Sequence, residues 1–574
     1  MKKTILQTLE ILNFSEKKQL IIIFFLTVIF NFLETLSISL VFPLVSNLTN
    51  SANKDQVLNF DFFNNIFSEN DLSNIFMIFL IIFFIKLVFI LFFLYKKTSF
   101  VQKLAANLSL RVLKKYVSQN LNFFYENNSS LLTRNIVQEI SQLISGVIEQ
   151  TLSLIIELIL VLLLVSLAFY AEPVVTTIIF LVFFVSFFIF YFVVTPKTKK
   201  WGLETLRLRG NILKKLNEIF SSIKFIKVTN KEFFFFKDIK KSFLENARIN
   251  ILYDFTKNFP RPFFEFLLVI LVVLIVQFKM HFSEINDYSG ILPLLGLYAA
   301  IAFRIVPSFS RILVHMNNIK FSKASVDVIY NETKLKDKIQ LSSTFDNNFD
   351  FQNVEFRNVD FAYKNKENVF EDLSFSINRN EFIAIVGDSG IGKTTLIDLL
   401  AGLVEPTKGE ILLNGKKLKT ENKNNMTSVI GYIPQNYNFL DDTIEKNIAF
   451  AEENINRDKI KRSLIQANLI DFVESLPDKY EEKIGEQGIL LSGGQKQRLA
   501  IARSLYLDAQ ILIMDESTSS LDQKTEAKIF EEFMKLKNSK TLIVITHKML
   551  NYQYFDKIIS IRNKKIDIRK GNIS

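Results

Sequence analysis

Six long apolar stretches dominate the first half of this 574-residue chain, running over approximately 18–46, 74–97, 147–171, 173–195, 259–279 and 288–317. Each is long enough to cross a hydrocarbon core of about 30 Å as a helix. Two of them, IIIFFLTVIFNFL and FMIFLIIFFIKLVFILFFL, are hydrophobic all round. That pattern points to lipid on every side, not to a helix with one face in a soluble core. The sequence therefore predicts a polytopic α-helical membrane domain with six transmembrane helices. Lys2, Lys3, Lys17 and Lys18 precede the first stretch, which is too long for a cleavable signal and lacks a small-residue cleavage pattern.

Charge sets the expected topology. Lys96, Lys97 and Lys103 follow the second stretch, Lys197, Lys199 and Lys200 the fourth, and Lys320 and Lys323 the sixth. The loop after the first stretch is acidic, with Asp55, Asp61, Glu69 and Asp71. By the positive-inside rule both termini are cytoplasmic. The formal net charge of +11 is then a matter of topology and headgroup contact, and no nucleic-acid partner is expected. With no cysteine in the chain there is neither a disulfide framework nor a thiolate metal site, which fits a bacterial inner-membrane or cytosolic setting.

Residues 98–146 and 197–258 are polar but compatible with helix, and are read as cytoplasmic extensions of the membrane helices. The run Phe233–Phe236 is expected to pack between them. Leu58, Phe62, Phe63 and Ile66 share one helical face in the outer loop, giving a short segment suited to the outer leaflet. The membrane domain is assigned to 1–320. The polar, weakly periodic stretch 321–352 is assigned as a linker, and 353–574 as a second domain.

In that second domain strands and helices alternate. EFIAIV reads as a buried strand and is followed at once by GDSGIGKTT and the helical TLIDLLAGL. This is a phosphate-binding loop: Gly387, Asp388, Ser389, Gly390, Ile391, Gly392, Lys393, Thr394 and Thr395. Its glycines let backbone N–H groups turn to the phosphates, and the helix N-terminus adds its positive end. Lys393 is placed to reach the β- and γ-phosphates of ATP, and Thr394 to hold Mg²⁺. A second strand, AQILIMDES, ends in Asp515, fitted to the metal, and Glu516, fitted to orient the attacking water. His547 follows a third strand, TLIVITH, as a candidate γ-phosphate contact. In LLSGGQKQRLAIARSL, Ser492, Gly493, Gly494 and Gln495 form another glycine-rich helix start, itself an anion site.

LSGGQ together with both nucleotide motifs resembles the ATP-binding cassette (ABC) superfamily, over essentially all of 353–574. The resemblance implies an α/β P-loop cassette behind an ABC exporter membrane fold. It further implies that Tyr363 in DFAY stacks on adenine and that Gln435 in YIPQN contacts Mg²⁺. Ser519, Ser520, Leu521 and Asp522 resemble the loop that crosses the cassette dimer interface. Gly485, Glu486 and Gly488 resemble the export-type segment before the signature, with Gln487 where a basic residue is common. One cassette and six spans imply a half-transporter that acts as a homodimer.

For the cargo, the membrane half offers Lys86, Arg261, Arg304 and Arg311 as cationic candidates. In AIAFRIVPSFSRILVH, Arg304, Arg311 and His315 fall on one helical face, with Pro307 expected to kink the helix between them. Two readings stay open: pairing with Glu34, Glu157 and Glu265, or contact with an anionic substrate. FLETLSISLVFP, SSIKFIKVTNKE and FRIVPSFSR are similar to the PglK-type flippases of bacterial protein N-glycosylation. That resemblance implies a polyprenyl-diphosphate-linked oligosaccharide as the cargo. The alternative is export of another amphipath: a lipid A-like lipid, a drug or a peptide.

Overall fold

The computed structural model describes residues 1–39, 72–171, 173–282, 291–337, 349–363, 367–418, 423–516, 523–546 and 554–571. These fall into two units. The first comprises Met1–Val117 and Asn127–Lys336, the second Ser118–Glu126 and Asp337–Ser574.

Among the described residues the first unit is all helix and short connections, with no strand. A short α1 (Lys2–Ile11) leads into α2 (Phe14–Ser39), and α3 (Leu72–Val117) follows. The second unit claims α4 (Leu121–Glu126). The chain then returns to the first unit through α5 (Ser129–Arg134) and two π-helical turns, Asn135–Glu139 and Ile144–Ile148, to α6 (Glu149–Ala171). It continues through α7 (Pro173–Ser221), α8 (Ile223–Thr229), α9 (Glu232–Asn258), α10 (Pro260–Phe282), α11 (Ile291–Phe321) and α12 (Lys323–Thr333). The described parts of the six apolar stretches fall on α2, α3, α6, α7, α10 and α11 in turn, the third beginning in the π-helical turn Ile144–Ile148. Among the described residues, four helices are long and apolar enough to cross a membrane: Phe14–Ser39, Phe79–Val117, Ser129–Tyr170 and Thr176–Ser221. The outer-loop segment around Leu58–Ile66 lies outside the described residues.

Each polar stretch begins as a continuation of an apolar helix, α3 running to Val117 and α7 to Ser221, whereas Leu121–Glu126 of the first stretch belongs to the second unit. Gly202 is where α7 meets α11 closely: a Cβ there would lie 2.0 Å from the Phe321 carbonyl oxygen. Pro307 does not break α11, which is assigned as one helix across it, and Ser308 Oγ donates to the Arg304 carbonyl at 3.0 Å. Two expectations need correcting. The first part of the assigned linker is α12, docked in the first unit through Val326 and Ile329, which are fully buried. The Phe run is not packed: Phe233, Phe234 and Phe236 are exposed, and Phe235 alone shares the stripe of buried Ile239 and Ser242. Four consecutive residues span most of a helix circumference, so one neighbouring helix cannot cover them all.

Among the described residues the second unit carries two sheets. Strands β1 (Asn353–Ala362), β2 (Asn368–Asn378), β4 (Lys408–Leu413) and β5 (Lys416–Lys417) form an antiparallel sheet in the order β2-β1-β4-β5. The larger sheet has the order β10-β9-β3-β8-β7-β6. It contains β3 (Phe382–Val386), β6 (Ile430–Ile433), β7 (Ile511–Asp515), β8 (Thr541–Thr546), β9 (Lys557–Arg562) and β10 (Lys565–Lys570). All its pairings are parallel except β9 with β10 at the edge. Strands β3, β7 and β8 are the three apolar runs of the sequence, buried because a parallel sheet is covered on both faces. One core cluster joins Phe356, Phe361 and Phe370 of the antiparallel sheet to Leu396 and Leu399. Another gathers Phe382, Tyr506, Phe533 and Phe555 on the other side.

Candidate functional site

The loop Gly387–Gly392 leaves the carboxyl end of β3 and opens α13 (Lys393–Leu400). This is the crevice outside parallel strands where ligands of open α/β sheets bind. Gly390 and Gly392 have φ of +80° and +110°, and a Cβ on Gly392 would come within 2.7 Å of Val369. Only glycine supports both the turn and that approach.

Lys393 curls over this loop. Its Nζ donates to the Gly387 carbonyl at 2.8 Å and lies 3.4 Å from Glu516 Oε1. Glu516 Oε2 accepts from Gln435 Nε2 at 2.8 Å, so Gln435 touches the carboxylate assigned to the water. Asp515, at the end of β7, accepts from the Tyr432 hydroxyl at 3.1 Å. Burial pushes its carboxyl up, the Tyr432 hydroxyl opposes that, the Glu516 charge adds to it, and Lys393 opposes it. A cation beside Asp515 would relieve that strain, and its oxygen donors, with those of Thr394 and Gln435, are the hard ligands Mg²⁺ prefers. The structure thus brings Lys393, Gln435, Asp515 and Glu516 together; Thr394 stands exposed in the first turn of α13. His547 and Ser519–Asp522 lie outside the described residues.

Tyr363 closes this end of the site with its hydroxyl 3.0 Å from Thr395 Oγ1. Ser492 caps α14 (Gly493–Tyr506) in a reciprocal capping box with Gln495, and Ser492 and Gly493 are exposed at the helix start. Sequence reasoning missed Tyr125, Asp398 and Tyr432. Asp398 is buried one turn into α13 and accepts from the Tyr125 hydroxyl at 3.1 Å. Its distance in sequence from Tyr125 left no local signal.

In the first unit every candidate cation has a carboxylate. Glu34, 7% exposed, faces Lys86 Nζ at 2.9 Å and Arg304 Nε at 3.0 Å. The Arg304 contact is an ion pair without hydrogen-bond alignment at Nε. Arg311 Nε lies 2.6 Å from Glu157 Oε1, likewise without hydrogen-bond alignment at Nε, and Nη2 donates to Glu157 Oε2 at 3.3 Å. His315 Nδ1 meets Gln150 Oε1 at 2.6 Å. Arg311 and His315 therefore face α6, whereas Arg304 turns to α2. Arg261 pairs with Glu265 along its own helix at 2.8 Å.

Residues 20–299 match the profile of the ABC transporter transmembrane region, and residues 370–519 that of the ABC transporter. The solved structure of a bacterial Atm1-family ABC exporter with ATP bound superposes with a TM-score of 0.79 at 18% identity. That likeness covers 98% of this chain and 96% of the other. The chain has the fold of an ABC exporter. Among curated proteins, the putative multidrug export ATP-binding/permease protein YgaD of Bacillus subtilis is 37% identical over 214 residues. The ATP-dependent lipid A-core flippase of Legionella pneumophila is 36% identical over 213. Each match takes in 37% of this chain, and 37% and 36% of the respective relative, so the chain spans little more than a third of the length of these relatives.

Proposed function

We propose that this ABC exporter-fold chain hydrolyses ATP as a homodimer and flips an anionic lipid across a bacterial inner membrane, both termini cytoplasmic. The cargo is a polyprenyl-diphosphate-linked oligosaccharide. The observation that carries this reading is the shared carboxylate of Glu34. Lys86, Arg261, Arg304 and Arg311 stand against Glu34, Glu157 and Glu265, leaving one positive charge over after pairing. That surplus sits where Arg304, a third exposed, holds Glu34 without aligned hydrogen bonding. A diphosphate offers such a guanidinium two oxygens at once.

In the cassette, Lys393 and the loop hold the phosphates, and Glu516 orients the attacking water. His547 contacts the γ-phosphate, and Tyr363 stacks on the base. Thr394, Asp515 and Gln435 would hold Mg²⁺, which neutralises phosphate charge. Exposed Ser492 and Gly493 suit a signature that completes the site of a second copy. The uncovered Phe233, Phe234 and Phe236 give that copy an apolar surface. A lipid A-like cargo is the second reading, favoured by the flippase relative and equally phosphorylated.

The test is reconstitution in proteoliposomes with fluorescent polyprenyl-diphosphate sugar and, in parallel, labelled lipid A. ATP-dependent movement of the first should fall sharply in Arg304→Ala plus Arg311→Ala, with ATPase activity largely kept. Full transport in the double variant rejects the diphosphate role, and movement of lipid A alone selects the second reading.

A further inference from the structure

Two tyrosines from distant parts of the sequence grip one face of α13. Tyr363 reaches Thr395, and Tyr125 of α4 reaches Asp398, three residues further along the same helix. Positions three apart are neighbours on a helix surface. The two rings also touch, edge to face, with centroids 6.0 Å apart and planes at 74°. Aromatic pairs favour this arrangement. Phe361 meets Tyr363 edge-on as well, at 5.0 Å and 85°. The orientation of the Tyr363 ring is thus set by two rings and one hydroxyl contact, and one of those rings belongs to α4.

Asp398 explains why a tyrosine fits here. The carboxylate is buried; burial raises its pKa, the Tyr125 hydroxyl opposes that rise, and the charge of Asp515 adds to it. A buried acceptor needs a donor, and Tyr125 supplies it while presenting a ring edge to Tyr363. The ring pair is not sealed in the core, because Tyr125 is 55% exposed and Tyr363 half-buried, so a flat ligand has access.

We propose that Tyr125 is a positioning residue for the nucleotide base. Through the edge of its ring on Tyr363 it fixes the stacking platform, so a segment that follows α3 in the chain sets the purine preference of the cassette. The inference rests on the proposed reading of this site as an ATP site with Tyr363 against the base.

The experiment is steady-state hydrolysis of ATP and UTP by the full-length protein in lipid nanodiscs. Wild type is compared with Tyr125→Ala, Tyr125→Leu and Tyr125→Phe. Alanine and leucine should raise KM for ATP about three- to tenfold, the range an aromatic edge contact supplies, with kcat changed less than about twofold. KM for UTP should move less, so the preference for ATP shrinks; phenylalanine, which keeps the ring edge, should retain it. Leucine keeps bulk at the position and stands in if the alanine variant does not fold. An unchanged ATP-to-UTP ratio in both variants overturns the proposal, as does a loss that phenylalanine does not rescue. Failure of the wild type to bind or hydrolyse ATP would instead overturn the reading beneath it.

Discussion

Glu34→Gln is the substitution that most directly probes the membrane charge cluster. The carboxylate spreads over two cations, with Lys86 on one oxygen and Arg304 on the other. Glutamine keeps the shape and removes the charge, stranding both on neighbouring helices. Breaking a buried pair by deleting one partner costs about 3–5 kcal/mol. Lys86 is 15% exposed, but Arg304 is a third exposed and can turn its head toward water or headgroups, so the low end applies. A loss of about 3 kcal/mol is roughly 150-fold in the ratio of folded to unfolded protein. Glu157→Gln strands Arg311, whose side chain is 39% exposed, and removes a counter-charge from Lys97, and should lose about 1–2 kcal/mol. Glu265→Gln breaks an exposed pair within one helix and should lose least.

Heat unfolding in nanodiscs, followed by the fluorescence of the single tryptophan, Trp201, gives the ranking. Trp201 lies on α7 beside the close approach of Gly202 to α11, so it reports on the packing of the helix that carries Arg304. Adding Lys86→Met to Glu34→Gln removes one of the stranded charges and should restore part of the loss. If Glu34→Gln melts with Glu265→Gln, or the second substitution brings no recovery, the shared carboxylate does not hold these helices.

Three further outcomes follow from the geometry. Gly202→Ala puts a Cβ against a backbone oxygen that cannot swing away, so the melting temperature should drop, by about 1–3 kcal/mol of stability, with a shift in Trp201 emission. Glu516→Gln should lower ATP turnover at least about 100-fold while nucleotide stays bound, measured as retained labelled ATP; unchanged turnover rejects its role. For Asp398, a raised folded pKa means that its contribution to stability is full when the carboxyl is protonated and is lost as pH rises through that value. Asp398→Asn should therefore gain on wild type in melting temperature as pH rises out of the ordinary carboxylate range, the gap closing as pH falls back into it; a pH-independent gap contradicts the burial argument.

The phosphate loop was legible because its physics is local. A strand end, two positive-φ glycines and a helix start lie within a dozen residues, and nothing distant is needed to assemble them. The membrane helices were legible for the same reason, since lipid asks only for a long apolar run. Arg304 and Arg311 show where this stops. Seven residues apart they share a helix face, yet one finds Glu34 and the other Glu157, because α11 meets different neighbours at the two levels. Tyr125 is the extreme case: α4 is six residues long, and its role exists only once β1 and α13 have been brought beside it. The helix Lys323–Thr333 did leave a trace in the spacing of Val326 and Ile329, too short to stand out from a polar stretch.

Pairing of the membrane arginines with Glu34 and Glu157 is compatible with a substrate role as well as a structural one. An unpaired guanidinium among apolar helices costs several kcal/mol, so a site that must take up and release an anion cannot leave its cation bare between events. A carboxylate within reach solves this, provided that its hold is incomplete. Arg311, with an aligned hydrogen bond to Glu157, is held more completely than Arg304, whose contact with Glu34 is electrostatic and whose partner already serves Lys86. On the proposed function, an arriving phosphate displaces Arg304 from Glu34 while Lys86 stays to neutralise the carboxylate. Every charge then keeps a counter-charge throughout the exchange. Arg304→Ala alone should consequently cost more transport than Arg311→Ala alone, and the reverse order would place the anion at Glu157.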